Sequence, residues 1–336
     1  MKPELAELIE NEILTPSAKR FGIDPSSLKS LGGFENYVCE GERDGKSVIM
    51  RVSHPHRRTF EEIQAETEFI THLADNGVAV SRPCRSVNDR LIERIEHDGG
   101  PFAIACFEKA PGSLVKRTEM TATRLHNRGK LIGELHRATR MFKSSAPDIR
   151  RCVWNEEEDF ATPEKFLPPE DKIIAERLAE VTTAILGYDR SEENWGLIHF
   201  DAHHGNILFD GDQPTLIDFD DAAYDLFVSD LAIPLFYHLL MPEDQKTEHE
   251  YAASYLAHVL DGYETAYQLD PRWPELFPLI LKRREIVLYI AIFRAMGKDH
   301  HDDWAKRYFA GRKERIANRV PFTSFDFARF AAKRAE

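Results

Sequence analysis

The sequence predicts an α+β fold: a small antiparallel sheet with one helix first, then a larger, mostly helical part. Three observations predict it. Residues 28–107 hold short apolar runs separated by turn signals and interrupted by one amphipathic stretch. From about residue 118 the apolar positions recur at helical spacing. The helical part is broken once, where two apolar runs, 206–209 and 215–217, flank the turn cluster Asp210-Gly211-Asp212-Gln213-Pro214.

Residues 3–20 read as an amphipathic helix with Leu5, Leu8, Ile9 and Leu14 on one side, ended or kinked at Pro16. Leu28 to Glu40 reads as strand, loop and strand around Gly32-Gly33-Phe34-Glu35-Asn36. Asp44-Gly45 then makes a hairpin turn into the strand 47–52. In that strand Ile49 and Arg51 share a face, so a cation lies beside apolar neighbours. The helix expected over 60–75 has the stripe Ile63, Phe69, Ile70 and Leu73, with Glu66 on it. Two inward charges each need a partner, because a buried unpaired charge is costly, and the simplest solution pairs Arg51 with Glu66. Two more strands, 91–93 and 102–107, run into Glu108-Lys109-Ala110-Pro111-Gly112, where the strand signal stops.

In the helical part Leu125, Ile132 and Leu135 share a face, and His136 follows them. Residues 144–171 read as a loop with four prolines, Trp154 and the acidic run 156–159, a solvated segment or a substrate gate. A helix is expected over 170–187, and further helices over 231–240, 244–266, 272–296 and 301–317. The basic run Lys282-Arg283-Arg284 interrupts an otherwise apolar helix, and no contact can be assigned to it from sequence.

Composition narrows the function. The chain has 336 residues, 42% hydrophobic and 30% charged, with net charge −13. Residues 111–260 carry 15 Lys and Arg against 27 Asp and Glu, a net of −12, which argues against a nucleic-acid surface and suits a cationic small substrate. There is no apolar run of membrane-spanning length and no apolar signal core at the N-terminus, so no membrane partner is expected. Cys39, Cys84, Cys106 and Cys152 are far apart and form no paired pattern, which fits a reducing cytoplasm.

Chemistry gathers around the hairpin. Asp201 and Asn206 precede it; Asp218 and Asp220 follow it. A carboxylate and an amide oxygen at adjacent strand ends make a hard, all-oxygen site of the kind Mg2+ takes when phosphates and water complete its shell. Asp201 is then left to orient an acceptor hydroxyl, the division of labour of phosphoryl transfer.

His199-Phe200-Asp201 with Asn206, followed by Asp218-Phe219-Asp220, resembles the catalytic core of the aminoglycoside phosphotransferase and choline kinase-like family, whose usual core reads H-G-D-x-x-x-x-N and then D-F-[DE]. The resemblance implies a protein-kinase-like two-lobed fold, with a nucleotide-binding N-lobe over 1–107 and a helical C-lobe over 108–336. It implies ATP and Mg2+ as cofactors and a small-molecule hydroxyl as acceptor: a homoserine-like or amino alcohol metabolite first, an aminoglycoside next. Asp201 becomes the residue on the acceptor, and Asn206 and Asp218, helped by Asp220, the metal residues. Gly33, Phe34 and Asn36 resemble the short phosphate-covering loop. Arg51, in the place of a lysine, and Glu66 resemble the pair that steadies the phosphates. Backbone at Glu108 to Ala110 resembles the adenine-binding hinge. His136, His199 and Asp230 become supports of the catalytic loop. Phe200 departs from the family glycine, which narrows the loop near the acceptor. Three other readings stand beside this one: a bacterial Ser/Thr protein kinase of the same fold, a nucleotide-binding module without turnover, and a two-metal hydrolase built on Asp201-Ala202-His203 and Asp218-Phe219-Asp220. The hydrolase lacks a carboxylate where Gly205 stands.

Overall fold

The structure, a computed structural model, describes residues 3–33, 36–54, 56, 58–98, 100–240, 248–297 and 302–336. The chain divides into two compact units. The first comprises Met1–Ser113, Met141–Arg151 and Leu208–Asp220; the second comprises Leu114–Arg140, Cys152–Ile207 and Asp221–Glu336. The first unit thus takes in chain well beyond residue 107. The reason is local pairing: Phe209 bridges to Ser113 and Leu216 to Val80, so the hairpin docks on the first unit's own backbone.

The first unit is built on a sheet of β1 (Lys29–Gly32), β2 (Tyr37–Arg43), β3 (Lys46–Ser53), β4 (Pro83–Cys84), β5 (Ile92–Ile95) and β6 (Phe102–Glu108). The strands run in the order β1-β2-β3-β6-β4, with β5 also on β6, and every pair is antiparallel. Asp44 and Gly45 both have positive φ, as a tight hairpin turn between right-twisted strands requires. One face of the sheet, including Tyr37, Met50, Val52, Phe102 and Ile104, packs on Ile9, Ile13 and Phe21. The N-terminal helix does not end at Pro16: it runs as Pro3–Leu8, a π-type turn Ile9–Ile13, and Leu14–Arg20. In that wider turn Leu14 N–H donates to the Ile9 carbonyl, which lets the helix continue past a proline that can claim no carbonyl itself.

Phe60–Asp75 is a helix over its expected range. Thr59 starts it: its hydroxyl accepts from Glu62 N–H, and the Glu62 carboxylate accepts from Thr59 N–H. Ile63, Phe69, Ile70 and Leu73 are buried, and so is Glu66. The hairpin forms close to its two expected runs. β7 (Trp195–Ile198) does not join β8 (Ile207–Asp210) and β9 (Gln213–Leu216), which pair with each other. It pairs antiparallel with β10 (Ala223–Leu226), a strand too short to announce itself in the sequence.

The second unit is mostly helices: Ala122–Thr139, Lys172–Leu186, Ser229–Leu239, Glu248–Glu264 and Trp273–Met296, then Asp303–Phe309, Arg312–Ala317 and Phe327–Ala335. Ala122–Thr139 and Glu248–Glu264 cross with glycines at the contact. A Cβ at Gly129 would overlap the Val259 carbonyl, and one at Gly262 the His126 carbonyl. Alanine usually stabilises a helix interior over glycine by about 1 kcal/mol. Here Gly262→Ala is expected to do the opposite, lowering stability by about 1–3 kcal/mol through overpacking. A urea titration reads the sign directly, and a raised midpoint would show that the two helices can part.

Candidate active site

β7 ends at Ile198 and hands the chain to His199, Phe200 and Asp201 in the second unit. This segment carries no regular structure, so its backbone groups need other partners. Asp230, at the start of Ser229–Leu239, supplies them: its Oδ2 accepts from His199 N–H at 2.9 Å and its Oδ1 from Phe200 N–H at 2.7 Å. Beneath it lies His136, fully buried, with Nε2 3.4 Å from Asp230 Oδ2 and Nδ1 2.9 Å from the Tyr263 hydroxyl. Burial lowers the His136 pKa, so the ring is neutral, with Nε2 donating and Nδ1 accepting. The Arg128 guanidinium holds the Ala202 carbonyl from the Ala122–Thr139 helix. Asn206 Nδ2 donates to the Asp201 carbonyl at 3.0 Å and lies 3.3 Å from Asp201 Oδ2. The Asp201 segment is therefore held by contacts from two helices and its own loop.

Phe200 has φ +66, the left-handed region that a Cβ resists. That is the physical reason a glycine suits this place. The phenylalanine ring does not narrow the loop as expected: it is buried, 6.3 Å from the Phe160 ring and 5.4 Å from the Arg283 guanidinium. Burial of the ring holds the strained backbone. Phe200→Ala is expected to lower stability by about 3–5 kcal/mol. Phe200→Gly removes still more yet is expected to be no worse, since glycine recovers about 1–2 kcal/mol of left-handed strain. Chemical denaturation of both variants checks the order; a glycine variant clearly below the alanine one would mean the positive φ costs nothing here.

In the first unit the centre is Arg51 on β3. It meets Glu66 with two parallel bonds, Nη1 to Oε1 at 2.8 Å and Nη2 to Oε2 at 2.6 Å. Its side chain is 6% exposed and that of Glu66 0%. Burial opposes the Arg51 charge, but the Glu66, Asp220 and Asp218 carboxylates outweigh it and raise the pKa. Asp218 Oδ1 is 4.0 Å and Asp220 Oδ1 3.9 Å from Arg51 Nη1. The two acids differ. The Asp218 side chain is 54% exposed and that of Asp220 9%. Asp220 Oδ1 accepts from Asn36 Nδ2 at 3.2 Å, its Oδ2 faces Arg58 at 3.8 Å, and its carbonyl accepts from the buried Arg151 at 2.6 Å. Asp220 thus faces protein cations and an amide, while Asp218 is the carboxylate open to solvent. Asp218 also has positive φ, +59, which an aspartate tolerates better than most residues.

Asn36 joins this network, and Gly33 lies against its backbone, where a Cβ would overlap the Asn36 carbonyl oxygen. Phe34 lies outside the described residues. At the end of β6, Glu108 N–H donates to the Arg82 carbonyl at 2.8 Å and its carbonyl accepts from Ser81 Oγ at 2.5 Å. A carbonyl has two lone pairs, so Glu108 keeps acceptor capacity but no donor. Ala110 is buried just beyond. Among the described residues no group of three or more His, Cys, Asp or Glu side chains could hold a metal ion. The donor set a phosphate-bound metal needs is smaller, one or two carboxylates with an amide oxygen.

With this geometry in hand, the chain can be set beside known proteins. The profile of APH, the phosphotransferase enzyme family, matches residues 28–276. The chain belongs to that family. It is 30% identical to the amicoumacin kinase of Bacillus subtilis (strain 168) over 323 residues, 95% of each chain. It is 25% identical to the homoserine kinase of Polaromonas naphthalenivorans (strain CJ2), over 75% of this chain and 76% of that one. Among solved structures, amicoumacin kinase hAmiN in complex with AMP-PNP, Ca2+ and Ami superposes with a TM-score of 0.90 at 26% identity, covering 98% of this chain and 99% of that one. As a family member the chain has the kinase-like fold and is a phosphotransferase.

Other residues around Asp201 were not assigned from the sequence. The run Lys282-Arg283-Arg284 points inward. Arg283, fully buried, bonds Asp225 Oδ2 at 2.6 Å and Ser229 Oγ at 3.1 Å and lies 4.3 Å over the Trp154 ring. Trp154 is itself fully buried, so the segment around 156–159 carries a core aromatic and not an exposed one, and Asp159 pairs with Arg294 at 2.9 Å. Arg284 reaches Asp201: Nη2 lies 2.5 Å from Asp201 Oδ1 and 2.5 Å from the Tyr237 hydroxyl. His203 completes the cluster, its ring 4.7 Å from that of Tyr237 and its Nε2 3.6 Å from Asp201 Oδ2. Burial, then Arg284, pushes the His203 pKa down to about 3, so it stays neutral at pH 7. The signal for these arginines is the one that singled out Arg51, a charge inside an apolar periodic stretch.

Proposed function

We propose that the chain transfers the γ-phosphoryl group of ATP to a hydroxyl of a small molecule, using a divalent metal ion, Mg2+ in the cell. The observation that carries this reading is the fixed Asp201, held by Asp230, Arg128 and Asn206 on a segment of the APH pattern. The acceptor oxygen attacks the γ-phosphorus as the bond to the β-phosphate oxygen breaks. ADP leaves, and the acceptor proton passes toward Asp201. Because the transition state is loose, Asp201 acts mainly by orienting the hydroxyl. Asn206 and Asp218 are the oxygen donors that suit the metal, which when bound neutralises phosphate charge. Asp220 acts on the protein side, steadying Asn36, Arg51 and Arg58. Arg51, locked by Glu66, meets phosphate oxygens; its planar fork gives a more directional contact than a lysine. Gly33 and Asn36 form the loop toward the phosphates, and the Glu108 carbonyl with Ala110 N–H serves adenine.

The amicoumacin kinase match over 95% of each chain supports amicoumacin as the first acceptor to try, and the homoserine kinase match supports homoserine next. The four cysteines are thiols that form no disulfide, which supports a reducing compartment such as the cytoplasm. The experiment is ADP release from ATP with Mg2+ across amicoumacin, homoserine, amino alcohols, aminoglycosides and generic protein substrates, with and without chelator. Acceptor-dependent release abolished by chelator supports the reading. Failure to bind AMP-PNP with Mg2+ would overturn it.

A further inference from the structure

Arg284 is placed oddly for a structural arginine. One nitrogen, Nη2, serves both Asp201 and Tyr237. Its side chain is 13% exposed, and its Nε is buried with no hydrogen-bond partner among the described residues. Leaving a donor on a buried guanidinium unsatisfied costs more than a hydrogen bond to a charged group gains. Arg283, one residue away, also has a buried nitrogen, Nη1, with no hydrogen-bond partner among the described residues; the two differ in access, since Arg283 is 1% exposed between Trp154 and Phe200 and is committed to Asp225 and Ser229. Arg284 instead lies against the carboxylate that receives the acceptor hydroxyl. The other side chains at this place add little positive character: His203 is neutral, and the Tyr237 hydroxyl is held protonated by burial, its pKa up at about 12. An oxygen-bearing group that arrives next to the acceptor hydroxyl meets the exposed part of this guanidinium, which is the cation that touches Asp201 among the described residues.

We infer that Arg284 is an acceptor-recognition residue, which binds a carboxylate or amide carbonyl oxygen carried close to the hydroxyl that Asp201 orients. This rests on the phosphotransferase reading of Asp201. The acceptor class that follows is a hydroxy acid or hydroxy amide, in preference to a simple amino alcohol. Arg284 has a second task before the acceptor arrives, since its bond to Asp201 Oδ1 holds that carboxylate turned to one side. The acceptor's carbonyl draws the guanidinium onto itself and leaves Asp201 Oδ1 to the hydroxyl.

The test uses the full chain with ATP and Mg2+ and three matched groups of acceptors. These are L-homoserine and isoserine; the amides of both; and 3-aminopropan-1-ol and 1-aminopropan-2-ol, which lack the carbonyl. ADP release is measured for the wild type, Arg284→Lys and Arg284→Met, with AMP-PNP affinity by calorimetry and thermal midpoint alongside. The wild type is expected to favour a carbonyl-bearing acceptor by about tenfold or more in kcat/KM, the size a charge-assisted hydrogen bond supports. Arg284→Met is expected to erase that preference, chiefly through KM, with AMP-PNP affinity retained; Arg284→Lys is expected to keep part of it. A purely structural role would lower all acceptors alike and move the midpoint, which would overturn the inference. So would a preference that survives in Arg284→Met, or a wild type that uses none of the carbonyl-bearing acceptors. Loss of AMP-PNP binding in the wild type would be a failure of the phosphotransferase reading, and is read separately.

Discussion

Asp201→Asn is expected to lower acceptor phosphorylation by about 100- to 10,000-fold, the range for removing a positioned proton-accepting group. The lower part of the range is the better expectation, because phosphoryl transfer draws little on basicity and much on placement. The substitution also disturbs placement. In the native site Asp201 Oδ1 faces Arg284 and Oδ2 faces the Asn206 amide. An asparagine has one oxygen for two donors, so its NH2 must face either a guanidinium or another NH2. The amide settles with its oxygen on Arg284, which then lacks a full counter-charge, and Asn206 loses its side-chain contact. AMP-PNP affinity should stay close to that of the wild type, since the residues proposed for phosphate and adenine lie in the other unit. Steady-state ADP release with the acceptor, and calorimetry with AMP-PNP, measure the two parts. Turnover within a few-fold of the wild type would remove Asp201 from its role.

What could be read in the sequence follows from how local each signal is. The stretch from His199 to Asp220 was legible because polar residues of a distinctive spacing stand at the ends of short apolar runs, and that needs no knowledge of distant chain. Glu66 and Arg51 were legible because each is a charge on an otherwise apolar face, and the structure joins them by two short bonds. The partner of β7 was not legible. β10 is four residues long and holds Asp225, whose carboxylate is buried only because Arg283 meets it from another helix. A buried aspartate in a short strand reads as a turn until its partner is known. The same holds for Arg284: its position in an apolar helix says that it points inward, but only the fold brings it to Asp201, 83 positions away in the chain. Phe200 shows a different limit. Sequence marks the departure from glycine but not its direction, because a left-handed backbone can turn the ring toward solvent or core, and here the core beside Phe160 and Arg283 takes it.

Glu66→Leu is expected to lower the stability of the protein by about 3–5 kcal/mol, the cost of leaving a buried charge without its partner. Arg51 would keep only Asp218 and Asp220, at 4.0 and 3.9 Å, in place of two bonds below 3 Å. The double variant Arg51→Met/Glu66→Leu is the more informative one. Replacing both members of a buried ion pair by apolar residues of similar size is often neutral or stabilising, so most of the lost stability should return. Nucleotide binding should not return with it. If Arg51 meets a phosphate oxygen, the double variant lacks that donor and binds AMP-PNP with Mg2+ about tenfold or more weakly, as expected for losing a hydrogen bond to a charged group. A plain structural pair predicts the opposite: stability and affinity recover together. Urea denaturation and AMP-PNP titration of the two variants separate these cases, because in one reading the curves move in parallel and in the other they part.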